Sequence, residues 1–191
     1  MRDTVLERFR ASAELKLAVR EGFAPLVLQA VAVVCERLRR GGTVFLCGNG
    51  GSAADAQHLA GELEGRFAYD RPPLRAVCLN CNVSTLTAIG NDYAFDAVFS
   101  RPLEALAGPD DVLIGLSTSG NSPNVVAALK VARSRGAFCI AFTGDGGGAM
   151  AEWSDILFAV PCRETPRVQE VHITAGHILC ELIERGMFPP G

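Results

Sequence analysis

The chain has 191 residues, 49% of them hydrophobic and 20% charged, and a net charge of −3. That length supports one substantial α/β core rather than two ordinary domains. Mild acidity with no lysine or arginine run argues against nucleic acid or an anionic membrane surface as a partner, and no apolar stretch approaches the roughly 20 residues of a membrane span.

The N-terminus, Met1 to Glu7, carries charges where a signal peptide needs an apolar core. Residues 4–20 are predicted helical, with Thr4 as N-cap and Glu7 three places on, as in a capping box. Gly22 is expected to end that helix, and a second is predicted from Ala24 to about Arg40. With Leu26, Leu28, Val31, Val33, Val34 and Leu38 it is apolar over more than half its circumference, which calls for burial on two sides. This helical hairpin, residues 1–41, stands ahead of the first strand and is expected to pack against another subunit.

Residues 42–188 alternate. Short apolar strands are predicted at Thr43–Cys47, Ala76–Asn80, Asp111–Leu116, Phe138–Thr143 and Asp155–Val160, with helical segments between most of them. That pattern implies a five-stranded parallel sheet covered on both faces, a three-layer α/β/α sandwich. A last helix is predicted from about Pro166 to Arg185, with Gly186 just past its end and Pro189 to Gly191 a loose tail. The seven cysteines, an odd number, fall mostly in apolar strand or helix patterns, which suits reduced thiols in a cytoplasm. Cys78 and Cys81 match C-x-x-C, but no second pair completes a zinc site, and buried strand cysteine is the expected role.

Two turns carry the chemistry. After the first strand, Gly48-Asn49-Gly50-Gly51-Ser52-Ala53 opens a helix, and a glycine turn at a helix N-terminus suits a phosphate. The same residues satisfy the dinucleotide pattern, yet the second strand ends Leu79-Asn80-Cys81-Asn82, without the carboxylate that would hold a ribose. After the third strand, Ser117-Thr118-Ser119-Gly120-Asn121-Ser122 offers more hydroxyls than capping needs. With no lysine in either turn, the cradle suits a sugar phosphomonoester better than a triphosphate.

His58 and Glu62 are one helical turn apart, side by side on one face. On the last helix Gln169 and His177 lie within about 80° of each other, while His172 projects well away from His177. His58, Glu62, Gln169 and His177 would suit zinc or a similar divalent ion; alternatively Glu62 and His177 form a metal-free acid/base pair.

At these residues the chain resembles the sugar isomerase (SIS) domain family over nearly its whole length. The resemblance rests on residues 48–58, Glu62-Leu63-Glu64-Gly65-Arg66-Phe67, Thr87 to Tyr93, Ser117 to Pro123, and Arg167 to His172 with Gly176-His177 and Cys180-Glu181. It implies a flavodoxin-like domain in a homotetramer with active sites at subunit interfaces, and conversion of sedoheptulose 7-phosphate to D-glycero-D-manno-heptose 7-phosphate, a step toward the heptose of lipopolysaccharide. By motif it implies phosphate contacts from Ser52, Ser117, Thr118, Ser119 and Ser122, and a sugar site of Asn49, Gly50, Gly51, Asn91 and Asp92. Metal ligands fall on His58, Glu62, Gln169 and His177, the catalytic pair on Glu62 and His177. Some family members have an acidic residue where this chain has Thr165-Pro166. A non-catalytic family adaptor that binds the replication initiator, and a sugar-phosphate sensor, are the alternatives; the adaptor lacks a histidine at the position of His177.

Overall fold

The computed structural model describes residues 1–189, so Pro190 and Gly191 of the expected tail lie outside it. All five predicted strands form: β1 (Val44–Gly48), β2 (Ala76–Cys78), β3 (Val112–Ser117), β4 (Phe138–Thr143) and β5 (Ile156–Ala159). They pair in parallel in the order β2-β1-β3-β4-β5. Successive strand side chains point to opposite faces. Leu46, Ile114, Ile140 and Phe142 therefore enter one apolar layer, and Phe45, Leu113 and Cys139 the other. Helices α2 (Gly51–Glu64) and α6 (Thr165–Met187) cover the first face, and α3 (Val83–Asp92), α4 (Ser100–Leu106) and α5 (Pro123–Ser134) the second. This is the expected three-layer sandwich. The strand order reverses between β1 and β3, and the helices that follow these two strands leave to opposite faces. A crevice opens there at the strands' carboxyl ends, where ligands bind in such sheets.

The N-terminal hairpin does not form. Helix α1 runs unbroken from Arg2 to Arg39, 38 residues, through both Gly22 and Pro25. In a helix interior glycine costs about 1 kcal/mol and proline about 3 kcal/mol relative to alanine. Burial of Val27, Val34 and Leu38 on the first face offsets this, at roughly 1.5–3 kcal/mol for each large aliphatic side chain. Nor is there a capping box: Met1 is the N-cap, no side chain caps the helix, and Thr4 sits inside it. By length and composition α1 is apolar enough to cross a membrane, which the sequence reading did not anticipate. Packing of its second half against α6 accounts for part of that apolarity. The rest stays exposed, including Leu28, beside an apolar groove that Leu28 and Phe23 share with Ile178 of α6.

Helix α6 also continues past Gly186 to Met187. Gly186 is there for proximity rather than termination, since a Cβ would lie 2.9 Å from the Cys35 sulfur of α1. All seven cysteines are free thiols; Cys78 is buried and Cys81 exposed. Burial pushes the Cys78 thiol up to about 12, as expected of a cysteine serving as a small hydrophobe.

His172 is buried on α6, with Nε2 3.0 Å from the Thr143 carbonyl oxygen and Nδ1 without a partner. Burial lowers its pKa from the usual 6.5 to about 4, only partly opposed by the bond to Thr143. The folded protein thus keeps a neutral ring that the unfolded chain protonates. Stability should fall as pH drops from about 6.5 to about 4 and the loss should level off below, on the order of 3 kcal/mol in all. Urea midpoints measured across that window should fall more steeply for the unaltered protein than for His172→Phe; parallel curves would refute this.

Candidate active site

The strand β1 ends at Gly48 and passes through Asn49 and Gly50 into α2. Gly50 holds φ +55, a conformation glycine adopts without strain. At Gly51 a Cβ would lie 2.6 Å from the Gln169 amide nitrogen, so the bare backbone makes room for that side chain. Asn80 braces the turn. Its Oδ1 accepts the Gly48 N–H at 3.3 Å and its Nδ2 donates to the Gly48 carbonyl at 2.9 Å. Since β2 stops at Cys78, this amide takes the place of the next strand peptide, a task for asparagine rather than a ribose-binding carboxylate.

The strand β3 ends at Ser117 and enters α5 through Thr118 to Ser122, with Ser122 as N-cap and Pro123 in the first turn. The Ser117 hydroxyl lies 2.7 Å from that of Ser122 and 3.3 Å from that of Ser119. Between the two turns is a cavity of about 310 Å³ lined by Asn49, Gly50, Gly51, Ser52, Ser117, Thr118, Ser119 and Ser122, with Thr165 and Gln169 from α6. Two helix N-termini and several hydroxyls face it, and among the described residues no cationic side chain lines it. Helix N-termini carry free N–H groups and partial positive charge, so the cavity suits an anion.

About two and three turns further along α2, His58 and Glu62 meet His177 of α6. The His58 and His177 Nε2 atoms are 2.8 Å apart, and His58 Nε2 is 3.4 Å from Glu62 Oε1. At that distance one ring nitrogen can donate to the other. The helices come this close because Gly176, beside His177, lies against Leu59, beside His58; a Cβ there would be 2.7 Å from Leu59 Cδ1. One donor atom from each of the three residues lies within 4.8 Å of the others. Two imidazole nitrogens and a carboxylate oxygen form a set that suits a divalent first-row ion. Asp55 lies on the same face of α2, and its Oδ2 is buried without a partner. Burial raises its pKa, opposed by the nearby His58 and His177.

A second set of contacts locks this geometry. The Glu184 carboxylate, buried on α6, accepts the Phe67 and Ala68 N–H groups at 2.7 and 2.8 Å and the Arg71 guanidinium at 3.1 Å. Arg71 in turn donates to the Leu63 and Glu62 carbonyls, both at 2.7 Å, at the C-terminal end of α2. Burial would raise the Glu184 pKa, but the two amides and the guanidinium outweigh it and hold the carboxyl below its usual range.

Of the residues singled out from sequence, Asn49, Gly50, Gly51, Ser52, Ser117, Thr118, Ser119, Ser122 and Gln169 line one cavity, and His58, Glu62 and His177 form one cluster. Asn91 and Asp92, at the exposed end of α3 with their side chains 2.8 Å apart, do not line that cavity. Arg66 is exposed. Thr165, Asn124, Asp55 and the Arg71–Glu184 pair were not assigned to the site. Only Asp55 left a local signal, being three residues before His58 and seven before Glu62, the spacing of one helical face.

A family model described as SIS domain matches residues 9–144. A phosphoheptose isomerase of Aquifex aeolicus is 52% identical over 184 residues, 96% of each chain. One from Rhodospirillum rubrum is 55% identical over 161 residues, 84% of this chain and 86% of its own. The solved phosphoheptose isomerase of Neisseria gonorrhoeae has a TM-score of 0.90 at 42% identity, covering 96% of this chain and 98% of that one. The one from Francisella tularensis has a TM-score of 0.92 at 35% identity, covering 96% and 97%.

Removing one partner of a buried ion pair strands the other charge, which costs about 3–5 kcal/mol. Glu184→Gln should lower stability by that amount in urea titration. A loss under about 1 kcal/mol, typical of surface pairs, would show that the pair is not a structural lock.

Proposed function

Since the chain belongs to the SIS domain family, we propose that it is an aldose–ketose isomerase acting on sedoheptulose 7-phosphate, forming D-glycero-D-manno-heptose 7-phosphate for heptose and lipopolysaccharide precursors. The observation that carries this reading is the His58–Glu62–His177 cluster on the same helix pair as the hydroxyl-lined cavity, in a chain 52% identical to a phosphoheptose isomerase along almost its full length. The cavity takes the phosphate, through Ser52, Ser117, Thr118, Ser119 and Ser122 and the N–H groups of α2 and α5. Asn49, Gly50, Gly51 and Gln169 face the sugar.

The reaction moves one proton between C1 and C2 of the substrate. Glu62 removes a proton from C1 while the C2 carbonyl oxygen gains one, giving an enediol. Return of a proton to C2 and loss of one from the C1 hydroxyl then complete the aldose. His177 serves the second carbon or the oxygens, and both steps are general acid–base transfers. His58, Glu62 and His177, with Gln169 as a fourth donor, would hold a divalent ion, zinc by the chemistry of the set. When bound, such an ion would polarise the substrate carbonyl and steady the charge on the enediol oxygens.

The exposed apolar residues of α1 and the groove between α1 and α6 support association through this helix, in a homotetramer. Asn91 and Asp92 would then reach a sugar site only across a subunit boundary. Seven free thiols support a cytoplasmic setting. His177, which completes the cluster, weighs against the adaptor alternative.

Loss of a general acid or base lowers turnover by about 10²–10⁴-fold, so Glu62→Gln and His177→Ala should each fall in that range. A coupled assay with sedoheptulose 7-phosphate reads this out, and near-normal turnover in both variants would refute the assignment. Metal analysis should find one divalent ion per chain, lost in His58→Ala, and chelation should suppress activity.

A further inference from the structure

The phosphate cavity is lined by two turns, and a residue outside its lining links them. Asn49, on the first turn, faces Asn124, the second residue of α5, with the two carboxamides head to tail. Asn49 Nδ2 donates to Asn124 Oδ1 at 2.8 Å, and Asn124 Nδ2 donates to Asn49 Oδ1 at 2.9 Å. The Asn124 Oδ1 also accepts the Val125 N–H at 3.0 Å, so this side chain is anchored in its own helix. Asn124 is 2% exposed and does not line the cavity.

The pair bridges the point where the strand order reverses. Asn49 precedes α2 on one face of the sheet and Asn124 starts α5 on the other. Among the described residues it is the only side-chain hydrogen-bonded link between residues 48–52 and 117–124. A buried amide ordinarily serves packing, its polar atoms satisfied within the core. Here the side-chain partner is a cavity-lining residue, so loss of the Asn124 amide frees the first turn relative to the second.

We propose that Asn124 is a positioning residue that fixes the separation of the two anion-binding turns through Asn49, and so sets phosphate affinity without touching the substrate. The inference rests on the cavity being the phosphate site. It does not depend on which sugar is isomerised.

The test measures inorganic phosphate binding by calorimetry, urea stability, and KM and kcat for Asn124→Ala and Asn124→Ser. Serine keeps a polar group at the helix N-terminus but is too short to pair with Asn49, and it guards against a folding failure of the alanine variant. Phosphate affinity should fall at least about tenfold, the factor to which about 1.4 kcal/mol of lost binding free energy corresponds. KM should rise in parallel with the lost affinity while kcat stays within about threefold of the unaltered protein's, the signature of lost uniform binding. The double variant Asn49→Ala/Asn124→Ser should bind phosphate no more weakly than Asn49→Ala alone, because the two act through one contact. Folded Asn124→Ser with phosphate affinity within about twofold of the unaltered protein would overturn the proposal, as would additive losses in the double variant. Failure of the unaltered protein to bind phosphate would overturn it together with the cavity assignment. Phosphate binding without isomerase turnover would sink only the functional reading above, and the affinities would still decide the role of Asn124.

Discussion

Glu184 and Arg71 are almost wholly buried together, and a charge moved into a protein interior costs several kcal/mol unless its surroundings replace the water. Here they do. The carboxylate has two backbone amides besides the guanidinium, and the guanidinium has the two carbonyls that end α2. The site depends on this arrangement because α2 carries His58 and Glu62 while α6 carries His177. Arg71 grips the backbone carbonyl of Glu62 itself, so the residue proposed as the base is held at its main chain. At the same level, Gly176 against Leu59 lets the helices approach closely enough to bring the two imidazole Nε2 atoms within 2.8 Å.

Helix α2 ties both functions together. It begins at the turn proposed to bind phosphate and ends at the ionic lock, and a straight helix has a fixed rise. From Ser52 to His58 is six residues, about 9 Å at 1.5 Å each. That is the scale of an extended seven-carbon chain, so an anion at one end and the metal-suited cluster that starts at His58 fit one linear substrate. The scaffold needs no moving part to measure that length.

The sheet was legible because fully buried parallel strands are short apolar runs, and all five lie within two residues of where that pattern puts them. The cradle was legible because glycine and hydroxyl residues cluster locally where strands meet helices. Gly22 and Pro25 misled, because they are local helix breakers and the burial that overrides them comes from a helix more than 100 residues away. Gly186 misled in the same way, as its role is set by Cys35. Glu184 with Arg71, and Asn124 with Asn49, had no local signature at all. Each is a pair of ordinary polar residues distant in sequence, joined only when the sheet places their elements side by side.

The reversal of strand order has a mechanical consequence. The two turns around the cavity belong to helices on opposite faces of the sheet, so the cavity is a seam between the two outer layers. An anion held there would be gripped by both, and would act as a second strut beside the Asn49–Asn124 pair. Its binding free energy would then add to the cohesion of the whole sandwich, since a ligand that favours the folded state stabilises it by an amount that grows with the logarithm of its concentration relative to Kd.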